Sequence, residues 1–225
     1  MGPYLDSKDT ETLATMYNLF ERVQGIKVLC NAFRMHVQVI PHFPLTKHNH
    51  IEIPQTTVQD IVTDAAKDEL MVQRLLDFKA LVDTTISSSF VDEKVCPSRG
   101  PNTSTSTSSG IKQHNSEFVY ALSDGFTMGF KARRNTPAEM IAKYLDKAMR
   151  RGQGGSSDEQ FEALLDSVLA LYRFTDDKDV FRSFYHRSLA KRLLLQKSAS
   201  DDFEASMLKK LKERKADFDF DFEFS

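Results

Sequence analysis

Apolar side chains return every three or four residues along most of this sequence, and that spacing restricts the chain to packed helices. Leu13, Met16, Tyr17 and Phe20 stand at offsets of three, four and seven, which places them on one face of a 3.6-residue helix. Gly25 interrupts this stripe, and Ile26, Leu29, Cys30, Phe33, Val37 and Ile40 begin a second. Val58, Ile61, Val62 and Ala65, continued by Val72, Leu75, Leu76, Leu81 and Phe90, predict one long helix. Phe118, Leu122, Phe126 and Phe130 mark another. The later stripes are Ile141, Tyr144, Leu145 and Ala148, then Phe161, Leu164, Leu165, Val168 and Tyr172. Phe181, Phe184, Tyr185, Leu189 and Leu193 follow, and Phe203, Met207 and Leu211 close the series. Strand-like alternation occurs only in the Phe/acid run 217–224, which, with no second strand in the sequence to pair with it, reads as a frayed, irregular tail rather than a folded edge.

Helix starts and breaks are punctuated between these stripes. Thr136-Pro137-Ala138-Glu139 offers a capping hydroxyl, a proline at the first helical position and a glutamate for a capping box. Ser156-Ser157-Asp158-Glu159 repeats that logic. Pro41, Pro44 and Pro54 each remove a backbone donor, so 41–55 is read as a loop. Residues 97–114 are dominated by Ser, Thr, Gly, Pro and Asn, too little apolar surface to offset chain entropy, and read as a linker. Nine Gly and seven Pro in 225 residues are few for a turn-rich sheet protein. The expected fold class is all-α, a helical bundle or solenoid, although no clean internal repeat identifies a solenoid from periodicity.

Chemistry-bearing patterns are weak. Gly152-Gln153-Gly154-Gly155 has no strand before it and no Lys-Ser or Lys-Thr after it, so it reads as a helix stop rather than a phosphate loop. His42, His48 and His50 lack a nearby cysteine and form no compact zinc set. Cys96 beside Pro97 has no local base. Two cysteines, Cys30 and Cys96, make no disulfide framework. Lys131 to Arg134 and Lys147 to Arg151 are basic, but they stand at helix ends and the net charge is −2, which disfavours nucleic acid as the main partner. Asp176-Asp177-Lys178-Asp179 reads as an anion-rich helix start. No catalytic, cofactor-binding or metal-ligating residue is therefore predicted. No run approaches the ~20 apolar residues of a membrane span, and Met1 to Asp6 lacks an apolar signal region. The expectation is a soluble protein of the nucleus or cytoplasm with reduced thiols.

Farther along, Leu169 to Phe181 (LALYRFTDDKDVF) runs into Phe184-Tyr185-His186-Arg187-Ser188-Leu189-Ala190-Lys191-Arg192-Leu193-Leu194 and then Ser198 to Lys212 (SASDDFEASMLKKLK). This ordered pattern resembles the cullin family. Pro137 to Asp146 is similar to the helix that precedes it there, and Leu19 to Val23 with Met71 to Lys79 is similar to the last cullin repeat. The spelling Gly129 to Arg134 is closest to the cullin-4 group, in a fungal form.

The resemblance implies a non-catalytic scaffold of a cullin-RING ubiquitin ligase. In that family three five-helix repeats form a rod. A four-helix bundle, a RING-binding α/β domain and a winged helix carrying a modifier-accepting lysine follow. It implies an extension at 1–10, a repeat-like domain at 11–151, the start of the bundle at 156–213 and a departure from the pattern at 214–225. The parent family's adaptor-binding and RING-binding regions are not among the matched residues. Loop 41–55 and the 214–225 run point to a truncated or mis-spliced product. Phe161, Leu165, Val168, Phe181, Phe184 and Leu189 are the expected bundle core. The alternative is a stand-alone helical interaction module, with Leu193, Leu194, Leu195 and Met207 left uncovered.

Overall fold

The computed structural model describes residues 9–38, 57–92, 113–151 and 157–213. Among these the helices are α1 (Thr10–Arg22), α2 (Ile26–Gln38), α3 (Val58–Thr63), α4 (Asp68–Ser89), α5 (Ser116–Phe130), α6 (Thr136–Arg151), α7 (Asp158–Tyr172), α8 (Lys178–Leu194) and α9 (Asp201–Glu213). The one sheet element among them is a two-residue antiparallel ladder, pairing Val91 with His114 and Asp92 with Gln113. The all-α class therefore holds. The last two residues of the expected linker 97–114 belong to this ladder, while 97–112, the loop 41–55, the glycines at 152, 154 and 155, and the 214–225 run lie outside the described residues.

The single long helix expected from Val58 to Phe90 is two. Helix α3 stops at Asp64, whose N–H bonds to the Asp60 carbonyl, and a 3-10 turn at Ala65–Lys67 leads into α4. The sequence between Ala65 and Met71 carries no inward stripe, and Asp64 and Asp68 both favour helix ends over helix interiors. Elsewhere the punctuation acts locally. Thr57 and Asp60 form a reciprocal capping box at α3, and Ser157 and Gln160 form one at α7. At α6 the helix begins one residue earlier than the capping pattern indicated: Thr136 is already helical, and Glu139 N donates to the Asn135 carbonyl.

The break between α1 and α2 is a Schellman-type stop. Gly25 N–H reaches the Phe20 carbonyl at 2.8 Å, and the residue with positive φ is Gln24 (56°) rather than the glycine. Gln196 (φ 51°) ends α8 in the same way, with Lys197 N–H on the Arg192 carbonyl at 2.9 Å.

Packing divides the chain into two compact units. The first comprises Met1–Asp64 with Asp77–Ala132, and the second Ala65–Leu76 with Arg133–Ser225. Within the second unit α6 packs on α7 and α8. In the first unit Tyr17, Phe33, Phe90 and Phe118 make an aromatic cluster, with Phe90 and Phe118 stacked at 4.0 Å between centroids. Helix α5 approaches its neighbours closely because Gly125 and Gly129 lie one turn apart. A Cβ at Gly125 would sit 2.8 Å from Val37 Cγ1, and one at Gly129 would sit 2.6 Å from Val58 Cγ1. In the second unit, the buried faces are Met71, Val72 and Leu75 of α4, Ile141 and Leu145 of α6, and the inward stripes of α7 to α9.

Candidate functional site

The second unit is organised around a charged side chain in an apolar position. Helix α8 turns Phe181, Tyr185 and Leu189 inward at intervals of four, and Arg192 continues that face at the next interval of three. Arg192 is 0% exposed. Its guanidinium forks onto Glu204 of α9, with Nε donating to Oε1 at 2.6 Å and Nη2 to Oε2 at 2.9 Å. Nη1 donates to Asp146 Oδ1 of α6 at 2.7 Å. Glu204 is itself buried and also accepts from Ser198 Oγ at 2.9 Å. Asp146 keeps its second oxygen for Arg150 Nε at 2.9 Å. The two cations and two anions balance, so no buried charge is left without an opposite one. The guanidinium also lies 5.8 Å from the Tyr185 ring centroid. Burial works against the Arg192 charge, but the bonds to Glu204 and Asp146 outweigh it and hold the group above its ordinary range.

This network joins three helices through one residue. The Ala199 N–H adds a bond to the Met149 carbonyl at 3.0 Å, fastening the α8–α9 turn to the end of α6. Helix α9 runs alongside α7. Phe203 meets Phe161 at 4.7 Å between centroids, Ser206 Oγ donates to Glu162, and Lys210 bridges Glu162 and Asp166.

An open cleft of about 770 Å³ lies in the same unit, between residues 68–73 of α4, 140–148 of α6 and 160–164 of α7. On its edge Arg133 forks onto Asp68 at 2.6 and 3.0 Å, holding that carboxylate below its usual range. Tyr144 Oη donates to Gln73 Oε1 at 2.9 Å. Unlike the Arg192 fork, the Arg133 fork is partly solvated, with about a quarter of each side chain exposed.

Of the residues expected to form the bundle core, Phe161, Leu165, Val168, Phe181 and Leu189 are buried. Phe184 is half-buried, with Lys143 Nζ 5.9 Å from its ring centroid. It lies one residue off the Phe181–Tyr185–Leu189 line, so Tyr185 takes the enclosed position. Leu193, Leu194 and Leu195 are exposed, with Leu194 at 83%, whereas Met207, expected to be uncovered with them, is fully buried. Met207 shares the inward face of α9 with Glu204 and Leu211.

Cys30 is enclosed in the first unit, where burial and the neighbouring Glu117 carboxylate push its thiol up to about 11, the opposite of an activated nucleophile. His42, His48, His50 and Cys96 lie outside the described residues. Among the described residues no group of three or more His, Cys, Asp or Glu could hold a metal ion, and no helix is long and apolar enough to cross a membrane. Reasoning from the sequence missed the Arg192 network. The signal available was a charged residue at a stripe position, in α8 after Leu189 and in α9 before Met207.

A family model described as the cullin alpha solenoid domain matches residues 1–220. Cullin-4A from Homo sapiens is 38% identical over 208 residues, covering 92% of this chain and 22% of the relative. Cullin-4 from Dictyostelium discoideum is 31% identical over 202 residues, covering 90% and 20%. Cullin-3A from Arabidopsis thaliana is 31% identical over 204 residues, covering 90% and 23%. The chain thus spans about a fifth of the length of these relatives.

Proposed function

The chain belongs to the cullin family, and from that premise we propose that it serves as a scaffold segment of a cullin-RING ubiquitin ligase, holding ligase components in place for ubiquitin-dependent protein degradation. On this reading about residues 11–151 correspond to the last cullin repeat and 156–213 to the first part of the four-helix bundle. The work is geometric: holding a substrate near the transferring group converts an encounter into an intramolecular step. The observation that carries the proposal is the match of residues 1–220 to the solenoid domain. The interlock of α6, α8 and α9 through Arg192 supports it, because a spacer needs helices that do not slide past one another. The residues that matter are then structural, Phe161, Leu165, Val168, Phe181, Phe184 and Leu189 together with Arg192, rather than catalytic.

The exposed Leu193-Leu194-Leu195 step favours a second reading, a helical interaction module acting without ligase assembly. A pull-down of the chain against a RING subunit and against cullin adaptor proteins separates the two. Capture of either supports the scaffold, and capture of neither leaves the family as ancestry alone.

A further inference from the structure

The leucine step at the end of α8 has cations beside it. Opposite the inward line of Phe181, Tyr185, Leu189 and Arg192, the outer face of α8 presents Arg187, Lys191 and Leu194, spaced four and three apart and all exposed. Leu193 and Leu195 flank that face, each at least half exposed, and Lys197 follows in the turn. Three adjacent leucines in solvent mark a surface that is covered in use. After Asp179, α8 contains no acid, and Arg187, Lys191 and Lys197 form no ion pair with another described residue. The acids of the neighbouring helices are engaged elsewhere: Glu204 and Asp146 hold Arg192, and Glu139 holds Lys143. Asp201 and Asp202, the next acids along the chain, pair with none of the three cations. We propose that this outer face of α8 docks an acidic amphipathic helix of a partner protein, its apolar side against the leucines and its carboxylates on Arg187 and Lys191.

Charge selects the occupant. Arg187 and Lys191 stand one turn apart, so two acids at the same spacing on an incoming helix meet both. Apolar side chains one turn farther along that helix then reach Leu194, with Leu193 and Leu195 to either side. A second copy docked through the same face would bring a second set of cations and no acid, and like charges oppose association. An anionic lipid surface would also suit the cations. Only the outer face of α8 is available to it, however, three leucines rather than a continuous apolar stripe, and the net charge of −2 supplies no long-range attraction. This docking face is the leucine step on which the second reading above rests, and a partner of this chemistry binds it with or without ligase assembly.

The probe is a fluorescein-labelled helical peptide of about 20 residues, with leucines along one face and glutamates in i,i+4 pairs beside them. A control peptide carries lysines in place of the glutamates. Titrated with the full chain, the glutamate peptide should give a saturable rise in fluorescence polarisation, and the lysine peptide should bind at least about tenfold more weakly. Arg187→Glu combined with Lys191→Glu, and separately Leu194→Asp, should each weaken the glutamate peptide about tenfold. Leu19→Asp, exposed in the first unit, should change nothing. Circular dichroism verifies that each variant keeps its helices, and Leu194→Ala covers the case in which Leu194→Asp does not. No saturation at about 1 mM peptide would overturn the proposal. So would equal binding of the two peptides, or affinity that ignores the substitutions in α8. Phosphatidylserine vesicles that capture a chain indifferent to the peptide would assign the face to lipid instead, and self-association abolished by Leu194→Asp would assign it to a second copy. The pull-down with the RING subunit and adaptors reads the scaffold separately: capture there without peptide binding removes this surface alone, and peptide binding without capture removes the scaffold alone.

Discussion

Replacing Arg192 with methionine is the sharpest perturbation of the second unit. The substitution keeps much of the side-chain length but removes three charge-assisted bonds, two to Glu204 and one to Asp146. Asp146 retains Arg150. Glu204 retains only the Ser198 hydroxyl among these partners while staying buried. Breaking one side of a buried pair leaves an uncompensated charge, which costs about 3–5 kcal/mol. Urea denaturation slopes of about 1–3 kcal/mol/M translate that into a midpoint lowered by about 1–5 M. Replacing Glu204 with leucine as well removes the stranded charge, and the double variant should recover most of the loss. The assay is urea unfolding followed by circular dichroism, with the single and double variants side by side. A single variant costing under about 1 kcal/mol would refute the reasoning, and so would a double variant no more stable than the single.

Asp68→Asn breaks the partly solvated Arg133 fork and should cost at most about 1 kcal/mol in the same assay, because water screens that pair. Gly129→Ala drives a methyl into Val58 and should destabilise the first unit by about 1–3 kcal/mol, with Val58→Ala in the same chain restoring part of the loss. Phe118→Ala empties the centre of the aromatic cluster and should cost about 3–5 kcal/mol by urea unfolding. The Cys30 thiol holds its proton longer in the native state, to about 11 against an ordinary 9.0. Its contribution to stability is whole below 9.0 and is lost as pH rises toward 11. Stability measured between pH 8.5 and about 10.5 should therefore fall less steeply in Cys30→Ala than in the unaltered chain.

The stripes in the sequence made the helices legible because burial of one face is what creates a 3.6-residue repeat. Phe118, Leu122, Phe126 and Phe130 are all buried, and all lie within one helix. The break at Asp64 was harder to see. Val58 and Val72 both belong to apolar stripes, and the seven residues from Ala65 to Met71 can be spanned by a helix as readily as by a turn. Met207 was expected to be uncovered along with Leu193 to Leu195, as in a bundle short of partner helices, whereas it shares the inward face of its helix with Glu204 and Leu211. The Arg192 interlock could not be read by periodicity, which treats a charge as a solvent-facing residue. Its partners come from 46 and 12 residues away, and no local rule joins them.

The scaffold account is tested most directly by ubiquitin transfer in a chimera. The matched region of human Cullin-4A would be replaced by this chain, and the rate of substrate ubiquitination measured with the RING subunit and adaptor present. The account predicts transfer close to that of the parent, and a marked loss when Arg192→Met is added to the inserted chain. A chimera that folds and binds both components yet transfers no ubiquitin, or one whose rate ignores Arg192→Met although its helices have loosened, would contradict it.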